Sequence, residues 1–177
     1  AEGPSLDQVQ QLLDPLLFKK AQEEDWYSSY EDYIKKCPHG ANVSKAKERI
    51  AWLKANKAVV EVDYPKVLVQ PGGRWSFDTK FKETSGKVGY KINGTGYIYD
   101  AKGGRWGTYG YSINRGSKKV PAGGTESDHY WCSNTGDHIF CNGYAYFTWS
   151  GEDAGGHPIK LEVRVQFKHV GCQGKGS

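Results

Sequence analysis

DHYWCSNTGDHIFCNGYAYFTWS, residues 128–150, reads as a β-hairpin locked by its own disulfide. Gly136-Asp137 at its centre is a two-residue loop with glycine first, the composition of a type II′ turn, whose first central residue takes φ > 0. Counting outward from that turn sets Thr135 opposite His138, Ser133 opposite Phe140 and Cys132 opposite Cys141. A directly opposed, non-hydrogen-bonded pair has its Cα atoms about 4.5 Å apart, within the span of a disulfide. The same register sorts the side chains. Tyr130, Cys132, Ile139, Cys141, Ala145, Phe147 and Trp149 share a face assigned to the core, and His129, Trp131, Phe140, Tyr144 and Tyr146 share the other. That second face is too aromatic to meet only water.

At 177 residues the chain is long enough for one domain with a real core. Its 12 tyrosines and 6 tryptophans exceed ordinary usage while charge stays ordinary at 25%, so the composition is globular rather than disordered. No apolar run approaches the roughly 20 residues of a membrane span. The four cysteines lack the short paired spacings of a zinc site, and an even number beside a disulfide-competent hairpin points to an oxidising compartment. A mature, secreted, extracellular protein is therefore expected. With Cys132 joined to Cys141, the second bridge is Cys37 to Cys172; the other two connectivities stay open. Asn42-Val-Ser44 and Asn93-Gly-Thr95 are glycosylation sequons, as in a glycoprotein. The net charge of +4 is uneven: residues 1–62 hold 9 basic and 10 acidic groups, residues 63–177 hold 15 and 10.

Along the chain, Ser5 and Gln8 form a capping box ahead of Leu6, Val9, Leu13 and Leu17 at helical spacing. Asp14-Pro15 predicts a kink or a helix restart. Trp26, Tyr30, Tyr33, Ile34 and Cys37 make the aromatic stripe of a second helix, and Val43, Ala46, Ile50 and Leu53 mark a third. From Ala58 the period changes to alternation. Val60 and Val62, Val67 and Val69, and Trp75 to Phe81 read as strands, with turns at Pro71-Gly72-Gly73, Ser85-Gly86 and Lys102-Gly103-Gly104. Residues 114–127 read as a long polar loop and Gly151 to Pro158 as another. Ile159, Leu161, Val163, Val165 and Phe167 form an amphipathic strand.

The expected fold is α+β: N-terminal helices, residues 1–57, docked on a C-terminal antiparallel β-sandwich or barrel, residues 58–177, as one unit tied by disulfides. In outline, an amphipathic helical start ahead of an aromatic-rich β domain resembles secreted pore-forming toxins and fungal effectors.

For function, Tyr97, Tyr99, Trp106, Tyr109 and Tyr111, with Arg105, form a glycine-framed aromatic surface, because tyrosine and tryptophan offer a flat apolar body with a polar edge. The first reading is a non-enzymatic, effector-like or toxin-like binding protein, monomeric, whose partner is a host protein, a glycan or a lipid headgroup. The spread of basic groups without an RNA-binding signature argues against nucleic acid. The second reading is a small hydrolase or nuclease, gathering Asp128, His129, Glu152, Asp153 and His157, or using Glu162, Arg164 and His169. The third is a membrane-permeabilising protein inserting Leu6, Val9, Leu13, Leu16, Leu17 and Phe18 as a surface helix. The sequence carries no cofactor signature, no metal-ligand spacing, and no GxSxG elbow, HExxH helix or P-loop.

Overall fold

The computed structural model describes residues 6–70, 74–100, 102–105, 113–133 and 143–169. Three helices, α1 (Leu6–Glu24), α2 (Tyr27–Lys36) and α3 (Val43–Ala55), precede eight strands: β1 (Val60–Asp63), β2 (Val67–Gln70), β3 (Arg74–Glu83), β4 (Tyr90–Tyr99), β5 (Ile113–Val120), β6 (Thr125–Ser133), β7 (Tyr144–Asp153) and β8 (Pro158–His169). The strands form two sheets, β1-β3-β6 and β2-β8-β7-β4-β5. The architecture is α+β with a two-sheet sandwich and not a closed barrel. Among the described residues all pairings are antiparallel but one, the parallel pairing of β2 with β8.

The core lies between the sheets. Trp75, Phe77, Phe81 and Tyr130 from the small sheet meet Tyr90, Ile92, Phe147, Trp149, Val163, Val165 and Phe167 from the large one. Period-two alternation explains why these residues face inward. Phe77 stacks on Tyr130 at 4.7 Å between ring centroids, Trp75 on Phe167 at 4.5 Å, and Phe81 meets Trp149 edge-on at 4.7 Å. Gly94 and Gly96 stand on this inner face too, where an added Cβ would lie 2.6 Å from the Trp149 ring and 2.1 Å from Phe147. They make room for the core rather than frame the outer tyrosines.

The long hairpin expected over residues 128–150 is not formed as such. Residues 125–133 pair with β3, and residues 144–153 pair with β4 and β8, so the two arms belong to opposite sheets. The inward assignment of Tyr130, Ala145, Phe147 and Trp149 nevertheless stands, because two strands facing each other across a sandwich share one core. The Gly136-Asp137 turn, Cys141 and the tail from 170 onward lie outside the described residues, as do residues 71–73. Cys37 is buried and makes no disulfide with any described residue.

Three further departures follow from context. Of the kink or restart expected at Asp14-Pro15, the restart is absent, since α1 continues through Pro15 as one helix; Asp14 caps no new helix, and its carboxylate accepts hydrogen bonds from the Tyr33 hydroxyl and the Ala41 N–H. Residues 114–120, expected within the polar loop 114–127, belong to edge strand β5, paired with β4 across a bulge at Gly94/Thr95. Its polarity is that of an edge strand protected by lysines. The loop expected from Gly151 to Pro158 shrinks to the turn Ala154–His157 between β7 and β8.

The helices dock at that turn. The Tyr27 N–H donates to the Ala154 carbonyl at 2.9 Å, and the Ala154 N–H donates to the Gly89 carbonyl at 2.9 Å. Trp26, Tyr30, Tyr33, Ala46 and Leu53 form a second cluster that takes in Val88 and Ala154 from the sheet. Buried Asp153 fastens the junction. Its carboxylate accepts the N–H groups of Ala58, Gly155 and His157 at 3.0, 2.9 and 3.0 Å.

Candidate ligand-binding face

The five-stranded sheet has one face in the core and one turned outward. Register defines the outer face: Tyr97 pairs with Tyr146, which pairs with Arg164, and Tyr99 pairs with Tyr144, which pairs with Gln166 and through it with Val67. Below these rows come Thr95, Thr148 and Glu162, then Asn93, Ser150 and Lys160. The four tyrosines are half-buried, between core and solvent, on two neighbouring strands.

Three of the rings and two arginines form a continuous stack. The Arg105 guanidinium lies 4.1 Å over the Tyr97 ring, Tyr97 meets Tyr99 at 6.2 Å, Tyr99 lies parallel to Tyr144 at 4.7 Å and 11°, and the Arg164 guanidinium lies 4.2 Å over Tyr144. Offset ring pairs and cation–π contacts each contribute about 0.5–1.5 kcal/mol at such sites. Arg105 reaches the stack from the tight turn after β4. There the Asp100 side chain accepts the N–H groups of Lys102 and Gly104 at 2.9 and 2.7 Å, and Gly103 adopts φ 81°. The phenol of Tyr146 hydrogen-bonds Glu162, and that bond, with burial adding to it, raises the Tyr146 pKa.

Of the residues expected to bind ligand, Tyr97, Tyr99 and Arg105 are brought together, while Trp106, Tyr109 and Tyr111 lie outside the described residues. Tyr144, Tyr146, Arg164 and Glu162 join the site without having been assigned to it. The signal for the first two was present in β7, where both alternate outward. What local sequence does not contain is the pairing of β7 with β4.

The expected catalytic groups are not gathered into one site. Asp128 is buried in a double ion pair with Arg115 and Lys118, at 2.8 and 3.0 Å. Burial works to raise its pKa, but these two cations outweigh it and hold the carboxyl below its usual range. His129, on the same strand, faces solvent and contacts Asp78 of β3 at 2.6 Å. Asp153 and His157, 3.0 Å apart, belong to the β7–β8 turn of the other sheet, where Asp153 holds backbone N–H groups. Glu162 and Arg164 stand on the outer face, each with a tyrosine partner.

A small cleft of about 50 Å³, partly open to solvent, enters between the sheets and is lined by Trp75, Phe77, Ile98, Phe147 and Phe167. Arg115 stands at its mouth, 4.4 Å over the Tyr130 ring and bonded to Asp128 and the His129 carbonyl. This arginine closes the seam of the sandwich. On α1, Leu12, Leu13 and Leu16 are exposed, whereas Leu17 and Phe18 turn to the helical cluster. Among the described residues no helix is long and apolar enough to cross a membrane.

No protein-family model matches the chain, and no curated protein matches it. Among solved structures it is similar to the structural-genomics target SoR45, with a TM-score of 0.44 and 14% identity over 69% of this chain and 94% of that one. It is similar to the putative ApaA protein from Bordetella pertussis at 0.42 and 14%, over 64% and 94%. The periplasmic chaperone SfaE follows at 0.37 and 13%, over 63% and 58%. Likeness at this level carries no function to this chain.

Proposed function

We propose that the protein is a secreted, non-enzymatic binding protein whose ligand is a glycan lying on the outer face of the five-stranded sheet. The observation that carries this reading is the five-membered stack Arg105, Tyr97, Tyr99, Tyr144, Arg164, built across paired strands and left partly open to solvent. The sandwich does not need those rings for its core, which is filled from the opposite face. Tyrosine edges and hydroxyls, followed along the strands by Thr95, Thr148, Ser150 and Asn93, offer the mixture of apolar contact and hydrogen bonding that sugar rings require. The rigid two-sheet scaffold holds these groups in place before a ligand arrives, which lowers the ordering cost of binding.

The test pairs a glycan array with thermal melting. Wild-type protein is expected to bind a defined subset of glycans, and Tyr144→Ala to lose that binding while melting within a few degrees of wild type. Phe147→Ala is expected instead to lose about 3–5 kcal/mol of stability, since it opens a core cavity. An array on which the wild type binds nothing, or a Tyr144→Ala variant that binds normally, would overturn the reading.

A further inference from the structure

We infer that the glycan is an anionic polysaccharide, a sugar chain bearing sulfate or uronate carboxylate groups; this rests on the glycan reading above and specifies the ligand's charge. The ring faces in the stack are largely occupied. Arg105 covers Tyr97, Arg164 covers Tyr144, and Tyr99 stacks on Tyr144. What the stack offers a ligand is therefore the N–H edge of each guanidinium, the group best suited to a planar or tetrahedral oxyanion. Neither arginine forms a salt bridge with a carboxylate among the described residues. The segment 106–112 that follows Arg105, WGTYGYS, holds no acidic residue.

The charge continues along β8. Lys160, Arg164 and Lys168 recur every fourth residue on the outer face, all exposed, so neighbouring cations stand about 13 Å apart at 3.3 Å per residue. Glu162 is the acid among them, hydrogen-bonded by Tyr146, and the strand carries three cations to this one carboxylate. Lower on the face, Lys91 lies 4.2 Å over the Trp26 ring, toward the helices. Between the cations lie Thr148, Ser150 and Asn93. A row of cations separated by hydroxyl and amide groups fits an extended polymer whose anions alternate with hydroxyls better than it fits one small anion.

The same rows disfavour the other polyanions. Single-stranded nucleic acid draws its affinity from bases stacked on bare aromatic faces, and within the stack these are largely taken by Arg105, Arg164 and the neighbouring rings. Insertion into an anionic membrane needs apolar side chains, and among the described residues the large apolar side chains exposed on this face are Val67 and Val69 at its β2 edge.

Binding of the full chain is measured to dextran, dextran sulfate and polygalacturonate, which separate a neutral sugar, a sulfate and a carboxylate, and to a thymidine oligonucleotide and phosphatidylserine vesicles. Binding to either acidic polymer with none to dextran, weakening as NaCl is raised, is the expected result. Arg164→Gln is expected to weaken it roughly tenfold, as for loss of one charge-assisted hydrogen bond. Lys47→Gln, on α3, is expected to leave it unchanged, both variants melting as wild type. Equal binding to dextran and dextran sulfate would overturn the charge inference and leave the glycan reading standing. Binding to the oligonucleotide or vesicles alone, or to none of the five probes, would overturn the charge inference, and the glycan array then decides the glycan reading separately.

Discussion

Glu83 shows how one side chain can organise three segments. At the end of β3 its carboxylate is buried and accepts hydrogen bonds from the N–H groups of Val59, Ser85, Gly86 and Gly123, at 3.0, 3.0, 2.8 and 2.8 Å, and from the Ser85 hydroxyl. Burial alone would raise its pKa; the donors, led by Ser85 Oγ and the Gly123 N–H, outweigh it and bring it down to about 2. A carboxylate depressed in the folded state contributes stability that is complete above its unfolded pKa near 4.5 and is lost as pH falls toward 2. The shift corresponds to about 3 kcal/mol. Glu83→Gln is therefore expected to be less stable than wild type at neutral pH, with the gap narrowing as pH falls from about 4.5 to about 2; denaturant melts at several pH values measure it. A gap constant across that window would show that the charge does not matter. The sequence gives no warning of this residue, since a glutamate after Phe81 and Lys82 reads as the end of an alternating strand.

At the scale of elements, the helices are legible and their mutual placement is not. The stripe Trp26, Tyr30, Tyr33, Cys37 is buried as its spacing predicts, because a 3.6-residue period fixes one face of a helix whatever it meets. The partner of that face is set by Asp14, which binds Tyr33 from α2 and the N–H of Ala41 ahead of α3. Burial, then the bond to Asp14, lifts the Tyr33 phenol to about 12. Gly40 is required beside them, since an added Cβ would lie 2.2 Å from the Asp14 carboxylate. Tyr33→Phe is expected to cost about 1–3 kcal/mol by leaving a buried acceptor short of a donor, with faster amide exchange at Ala41 and Asn42 and little change in the sandwich strands. Uniform acceleration of exchange throughout the chain would instead mark Tyr33 as part of a single global unit. In the β region, strands with strict alternation, such as β3, β4 and β8, are readable one at a time. Which strand neighbours which is not, because it depends on contacts between residues far apart in sequence. That gap hid half of the aromatic face and replaced the expected hairpin with a crossing between sheets.

At the scale of the molecule, two sequence features meet the architecture. Asn93 of the second sequon is exposed in the middle of the outer face, where an attached glycan would cover the rows between Lys160 and the tyrosines. The binding reading therefore predicts that intact-mass analysis of secreted protein finds Asn93 bare, and that Asn93→Gln binds as wild type; full occupancy at Asn93 would remove this face from consideration. Cys37 belongs to the helical cluster near the β7–β8 turn, whereas β8 carries the chain twelve residues from that turn to His169. Three further residues, at most about 11 Å of extended chain, separate His169 from Cys172. Burial, and then Asp14, raises the Cys37 thiol pKa. Alkylation of the unreduced, denatured protein is thus expected to label Cys37; recovery of a Cys37–Cys172 peptide would contradict this placement.

The parallel pairing of β2 with β8 has a kinetic consequence. β2 sits between two strands of the small sheet in sequence, yet its hydrogen-bonding partner is β8, the last of the described strands in chain order. Every other strand of the large sheet can pair before β2 arrives, and closing so long a loop costs entropy before any contact repays it. The refolding protein should therefore pass through a stage in which the far edge of β8 stands bare. During that interval an intermediate can recruit a second chain along the unpaired ladder, so refolding yield is expected to fall with protein concentration even though the finished molecule carries that edge under a short valine-rich strand.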